Sequence, residues 1–170
     1  PYHRRNPAVW RRSDAGAAPR ILLAYGLSPR AEEKGNTMEA YIETPRLILR
    51  AFCMQDAQSM FNSYCGDEEA ARYMPWYAHE NVQQTERDLR ERLLPRQASD
   101  DWLPLAIAEK QRPGHVIGNI GAFLNGDVAE LGYVLGRAWW NKGYMSEALA
   151  AMVEHLFTHT PVQSIAAWYE

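Results

Sequence analysis

Residues 128–149 read VAELGYVLGRAWWNKGYMSEAL: an alternating apolar run stops, a short loop follows, and an amphipathic helix starts at once. The loop carries Arg137, Lys142 and Gly143. A strand that feeds a helix N-terminus through a glycine turn is a physical device for holding a phosphate. The free N–H groups of the first helical turn point outward, and the helix dipole adds about half a positive charge there. The next apolar run, SIAAWY at 164–169, completes a strand–helix–strand unit. Such units cross over right-handedly, so the two strands should lie parallel.

The rest of the chain is built around this unit. RLILRAF at 46–52 reads as a strand, and 56–64 as a helix with Met60, Phe61 and Tyr64 on one side. Residues 67–74 suggest a second short helix halted by Pro75, and 82–94 an exposed, charged helix ended by Pro95. Strands follow at 102–109 and 116–124, separated by the turn QRPG, and Asn125-Gly126 predicts a hairpin into VAELGYVL. The helix at 144–159 places Met145, Ala148, Leu149, Met152 and Leu156 at helical spacing. The order predicts an α+β (α/β/α) fold: a mixed, mostly antiparallel sheet with helices on both faces.

Composition narrows the function. A length of 170 residues suits one domain, and no apolar run approaches the roughly 18 residues that cross a bilayer. Residues 1–37 carry seven Arg/Lys against three acids, whereas the remainder carries eleven against eighteen. The acidic main part argues against nucleic-acid binding, which depends on neutralising phosphates, and suits a cationic partner. Met38 opens the strong pattern, so 38–170 is read as the domain. Residues 1–37 are read as a basic, disordered extension: upstream sequence, the tail of a fused domain, or an Arg-rich presequence. Two cysteines, Cys53 and Cys65, without metal spacing or a recognisable secretory leader predict a reducing, cytoplasmic setting. His155 and His159 have i,i+4 spacing but no third ligand is signalled, so no metal is expected.

Among phosphate-holding loops, the Walker string Gly-x4-Gly-Lys-Ser/Thr and the dinucleotide fingerprint Gly-x-Gly-x-x-Gly are both absent. Four segments in order, TPRLILR (44–50), VIGNIG (116–121), LGYVL (131–135) and WNKGYMSEAL (140–149), resemble the RimJ/RimL-type branch of the GNAT acetyltransferases. The resemblance covers about residues 41–170. It implies an acetyl-CoA-dependent N-acetyltransferase with a V-shaped cleft between the fourth and fifth strands, those ending at Leu135 and starting near Ser164. It also implies that the C-terminal part of the domain lies beyond Glu170. The loop departs from the family's pattern at Trp140, where Arg or Gln is usual, and at the bulkier Met145.

By position, the resemblance assigns Leu135 and Arg137 to the pantetheine and cofactor backbone, and Lys142, Gly143, Tyr144, Met145 and Ser146 to the pyrophosphate-facing turn. Gly143 is the sharpest of these, because a side chain there would block close backbone approach. Acetyl transfer needs a neutral amine. Glu130, which shares strand parity with Gly132 and Val134, is the candidate base, since a charge on a doubly covered sheet must reach solvent or a cleft. Trp76, Tyr77, Asn119 and Tyr133 are candidate substrate contacts. The expected acceptor is a primary amine, first a protein N-terminal α-amine and alternatively an antibiotic, polyamine or amino acid. A non-catalytic acyl-CoA-binding module or an inactive fragment is the rival class. No nucleic acid or membrane partner is expected, and the protein should be a monomer or homodimer.

Overall fold

The computed structural model describes residues 8–12 and 41–167. Seven strands form one sheet: β1 (Ala8–Arg11), β2 (Ile42–Glu43), β3 (Leu47–Arg50), β4 (Trp102–Glu109), β5 (Val116–Asn125), β6 (Val128–Leu135) and β7 (Ser164–Ala167). Their spatial order is β1-β7-β6-β5-β4-β3-β2. Every pairing is antiparallel except β6 with β7, which is parallel as the strand–helix–strand unit requires.

Four helical segments cover the sheet. α1 (54–65) runs from a 3-10 turn into a wider π turn at Phe61–Cys65. Its start is fixed by the buried Asp56, which accepts from the Cys53 N–H and takes both arms of Arg50 at 2.9 and 2.8 Å. α2 (Glu68–Ala71) is capped by Asp67, which accepts from the N–H groups of Glu69 and Ala70. α3 (82–96) is capped by Asn81. α4 (Tyr144–His159) is the long crossover helix.

The helices divide between the two faces by residue parity. Ala148, Met152 and Leu156 of α4 pack on Leu105, Ile120, Leu131 and Ile165 on one face. On the other, Met60 and Tyr64 of α1 and Leu89 of α3 pack on Ala106, Val116 and Val134. Full burial of each such side chain contributes about 1.5–3 kcal/mol, so both layers are needed to hold the sheet between them.

Three details depart from expectation. Pro95 does not end α3: the helix continues through Leu94–Arg96. A widened turn at Leu89–Leu93 loosens the ladder where the proline ring would otherwise press on the carbonyl four residues earlier. The hairpin loop is Gly126–Asp127, one residue later than Asn125-Gly126, because Asn125 still pairs with Val128. Gly126 has φ +61°, which suits the first position of a II′ loop. Finally, part of the extension expected to be disordered is strand: β1 pairs with β7 from Ala8↔Ala167 to Arg11↔Ser164. Arg12 then donates to the carbonyls of Phe157, Thr160 and Val162, placing a cation at the C-terminal end of α4, where the dipole favours it.

Candidate functional site

Among the described residues the pairing of β6 with β7 runs to Leu131↔Ala167, and β6 continues to Leu135. A cavity of about 650 Å³ opens beside the end of β6, lined on one side by Tyr133, Val134 and Leu135 and on the other by Gly143, Tyr144, Met145 and Ser146. Trp139, Trp140 and Asn141 close its end, and Glu69, Ala70, Tyr73 and Met74 form the wall contributed by α2 and the turn after it. Five of the seven residues expected to hold the cofactor therefore line this cavity.

The turn that starts α4 is built on two left-handed residues, Asn141 at φ 58° and Gly143 at φ 77°. Gly143 is the N-cap, and no side chain caps the helix. The amides of the first turn are thus left to whatever enters the cavity. A Cβ at Gly143 would meet nothing closer than an Arg46 nitrogen at 3.5 Å. Conformation, rather than lack of space within the protein, is what calls for glycine there.

The two remaining residues expected to hold the cofactor, Arg137 and Lys142, lie off the cavity lining. Arg137 Nε donates to Asp67 Oδ2 at 2.7 Å, so its charge ties the strand-end loop to the cap of α2. Lys142 Nζ donates back to the Ala138 carbonyl at 2.6 Å. The Leu135 carbonyl accepts from Trp140 Nε1 at 2.7 Å, which fastens the loop to the end of β6.

Sequence reasoning missed the residues that hold this turn in place. Glu147, in the first turn of α4, is 1% exposed and accepts from Thr44 Oγ1, the Arg46 N–H at 2.9 Å and Arg46 Nε at 2.6 Å. Arg46 Nη1 also donates to the Lys142 carbonyl at 2.9 Å, and the guanidinium lies 4.3 Å from the centre of the Tyr144 ring. Tyr144 Oη donates to Glu109 Oε1 at 2.9 Å, and that bond holds the phenol above its ordinary value. Burial acts to raise the Glu109 carboxyl, but hydrogen bonds from Tyr144, Trp139 and Arg112 outweigh it and leave the group below its ordinary value. An acid in the first turn would repel a bound anion if it were unpaired; Arg46 neutralises it.

The expected acceptor-side residues are more dispersed. Tyr133 lines the cavity, but Glu130, Trp76, Tyr77 and Asn119 do not. Asn119 Nδ2 donates to the buried Tyr64 Oη at 3.3 Å, and Trp76 packs edge-on against Tyr64 at 6.5 Å. Tyr77 is 94% exposed. Glu130 is exposed on β6, paired across the sheet with Phe123 and Ala166. Among the described residues no group of three His, Cys, Asp or Glu could hold a metal, and no helix is long and apolar enough to cross a membrane.

Comparison with known proteins fixes the class of this fold. The family model described as "Acetyltransferase (GNAT) domain" matches residues 46–169. The chain is 32% identical over 131 residues to "Uncharacterized N-acetyltransferase p20" of Bacillus licheniformis, covering 75% of this chain and 71% of that protein. Its fold is similar to a GNAT-family acetyltransferase from Bacillus anthracis (TM-score 0.64, 22% identity, 75% of this chain and 72% of that one). It is likewise similar to RimL, a ribosomal L7/L12 alpha-N-protein acetyltransferase (TM-score 0.59, 17% identity, 84% and 76%). A third similar structure is the microcin C7 self-immunity acetyltransferase MccE in complex with acetyl-CoA and AMP (TM-score 0.60, 15% identity, 72% and 69%). The chain belongs to the GNAT acetyltransferase family.

Proposed function

We propose that the protein transfers an acetyl group from acetyl-CoA to a primary amine, with a protein N-terminal α-amine as the first choice of acceptor. The observation that carries this reading is the opening of the uncapped α4 N-terminus into the same cavity as the end of β6, Tyr133 to Leu135. Acetyl-CoA, when bound, supplies an acetyl group activated as a thioester. The backbone amides at Tyr144, Met145 and Ser146 suit its pyrophosphate, and the strand past Leu131 suits an extended, amide-bearing arm. Relatives support the acceptor class in name: p20 is called an N-acetyltransferase, and RimL acetylates an α-amine of a protein.

The amine must be neutral before it attacks. An α-amine with a pKa of about 7.7–8.0 needs about one unit of deprotonation at pH 7, or about 1.4 kcal/mol; a lysine at about 10.4 needs about 4.6 kcal/mol. A solvent-reachable carboxylate suffices for the first. Glu130, exposed on β6, is the group we assign to that role. Cys65 offers no alternative covalent route, because burial pushes its thiol up to about 12. Cys53 is exposed but does not line the cavity.

Transfer is read by free-thiol release with peptides and with small amines. Glu130→Gln should lower kcat/KM about tenfold or more near pH 6.5, with the deficit closing toward pH 9 as the amine deprotonates unaided. An unchanged pH–rate profile removes Glu130 from the role. Acetylation of small amines with no activity on peptides moves the acceptor to a small molecule.

A further inference from the structure

We propose that the acceptor carries a large apolar or aromatic side chain next to its amine, and that Trp102 and Phe123 form the shelf that selects it. The inference rests on the acetyl-transfer reading and specifies its substrate. Its basis is the pairing register on the face opposite α4. Trp102 pairs with Phe123, Phe123 with Glu130, Glu130 with Ala166, and Ala166 with Val9, so these five residues form one row across β4, β5, β6, β7 and β1. Directly paired residues project from the same face.

The next row toward α1 is Pro104, Gly121 and Gly132. Among the described residues a Cβ at Gly132 would have nothing within 4 Å, and the Trp102 indole leans over Gly121 with Nε1 3.0 Å from where a Cβ would stand. One row further, Ala106, Asn119 and Val134 lie under α1 and Tyr64. The result, among the described residues, is a low floor at Gly132. The Trp102–Phe123–Glu130 row bounds it on one side and the α1 layer on the other.

The bounding row has a definite chemistry. Trp102 and Phe123 are stacked, with centres 5.3 Å apart and planes 14° from parallel, and Arg96 lies 5.4 Å from the centre of the Trp102 ring. Phe123 is nonetheless 48% exposed. An isolated exposed aromatic needs no explanation, but a stacked pair beside an exposed carboxylate and a bare floor offers two kinds of recognition at once. Glu130 attracts and deprotonates an ammonium; its cross-strand neighbour Phe123 presents a ring. Cβ atoms of such neighbours lie about 4.5–5.5 Å apart, and an N-terminal residue bears its amine and its side chain on one carbon. A single acceptor residue can therefore engage both.

The test compares peptides that differ only in their first residue, Phe, Leu, Ala or Gly, alongside phenethylamine and ethylamine, by free-thiol release with acetyl-CoA. Wild-type protein should favour Phe or Leu over Gly by about tenfold or more in kcat/KM, the factor expected from partly burying such a side chain. Phe123→Ala should collapse that ratio to within about threefold, and Phe123→Leu should keep most of it. Transfer with a flat ratio, or a Phe123→Ala protein with the wild-type ratio, overturns the shelf and leaves acetyl transfer standing. Preference confined to phenethylamine keeps the shelf and moves the acceptor from peptides to small amines. No transfer to any acceptor, despite binding of acetyl-CoA, overturns the enzyme reading and the shelf with it.

Discussion

Glu147 is the residue on which the cofactor turn depends. Its carboxylate is buried, and three hydrogen bonds from the Thr44–Arg46 segment compensate the loss of water. Removing Arg46 leaves that charge without its cation. Breaking a buried pair costs about 3–5 kcal/mol; the 41% exposure of the Arg46 side chain argues for the lower end, on the order of 3 kcal/mol. Urea unfolding of Arg46→Ala should show that loss, and a change below about 1 kcal/mol would mean that water replaces the guanidinium. The partners stand 101 positions apart, so no local pattern joins them. What the sequence offers is an acid on the buried stripe of a helix, which demands a partner without naming it. Gly143, by contrast, was legible as the glycine of the turn before the helix, although what requires it within the protein is its left-handed φ of 77° and not close approach.

At the scale of elements, alternation and turn residues located β4, β5, β6 and α4, since burial on one face imprints its period on the chain. Boundaries were less legible where tertiary contacts set them: the π turns of α1 and α3 and the continuation past Pro95 have no local signature. α4 also has a pH response of its own. His155 stacks on His159 with ring centres 4.4 Å apart, and burial, aided by that neighbour, pushes its pKa down to about 4. The unfolded chain takes up this proton near pH 6.5, whereas the folded protein refuses it until about pH 4. The contribution of neutral His155 is therefore complete above about pH 6.5 and is lost progressively as the pH falls to 4. The urea midpoint of the wild type should fall across that window, and His155→Gln should fall less steeply. Parallel curves for the two proteins would show that His155 titrates normally in the fold.

Over the whole molecule, the strand–helix–strand unit was readable from its pattern and a cleft beside it was implied by the family resemblance, but the far side of the cavity was not legible. Its far wall comes from α2, held there by the Asp67–Arg137 pair between segments 70 positions apart. Arg137, which the family resemblance assigns to the cofactor backbone, is engaged by Asp67 and lies off the cavity lining. The β1 strand was equally hidden, since its partner β7 and the α4 carbonyls bound by Arg12 lie about 150 positions away. What these distant contacts build is a cavity in which the end of β6 faces an uncapped helix. The most direct test of that account is a titration of 15N-labelled protein with acetyl-CoA, followed by amide chemical shifts. Saturable changes largest at Gly143 to Ser146, with a second group at Tyr133 to Leu135, are the predicted result. Absence of saturable binding, or shifts confined to residues away from this cavity, would contradict the account.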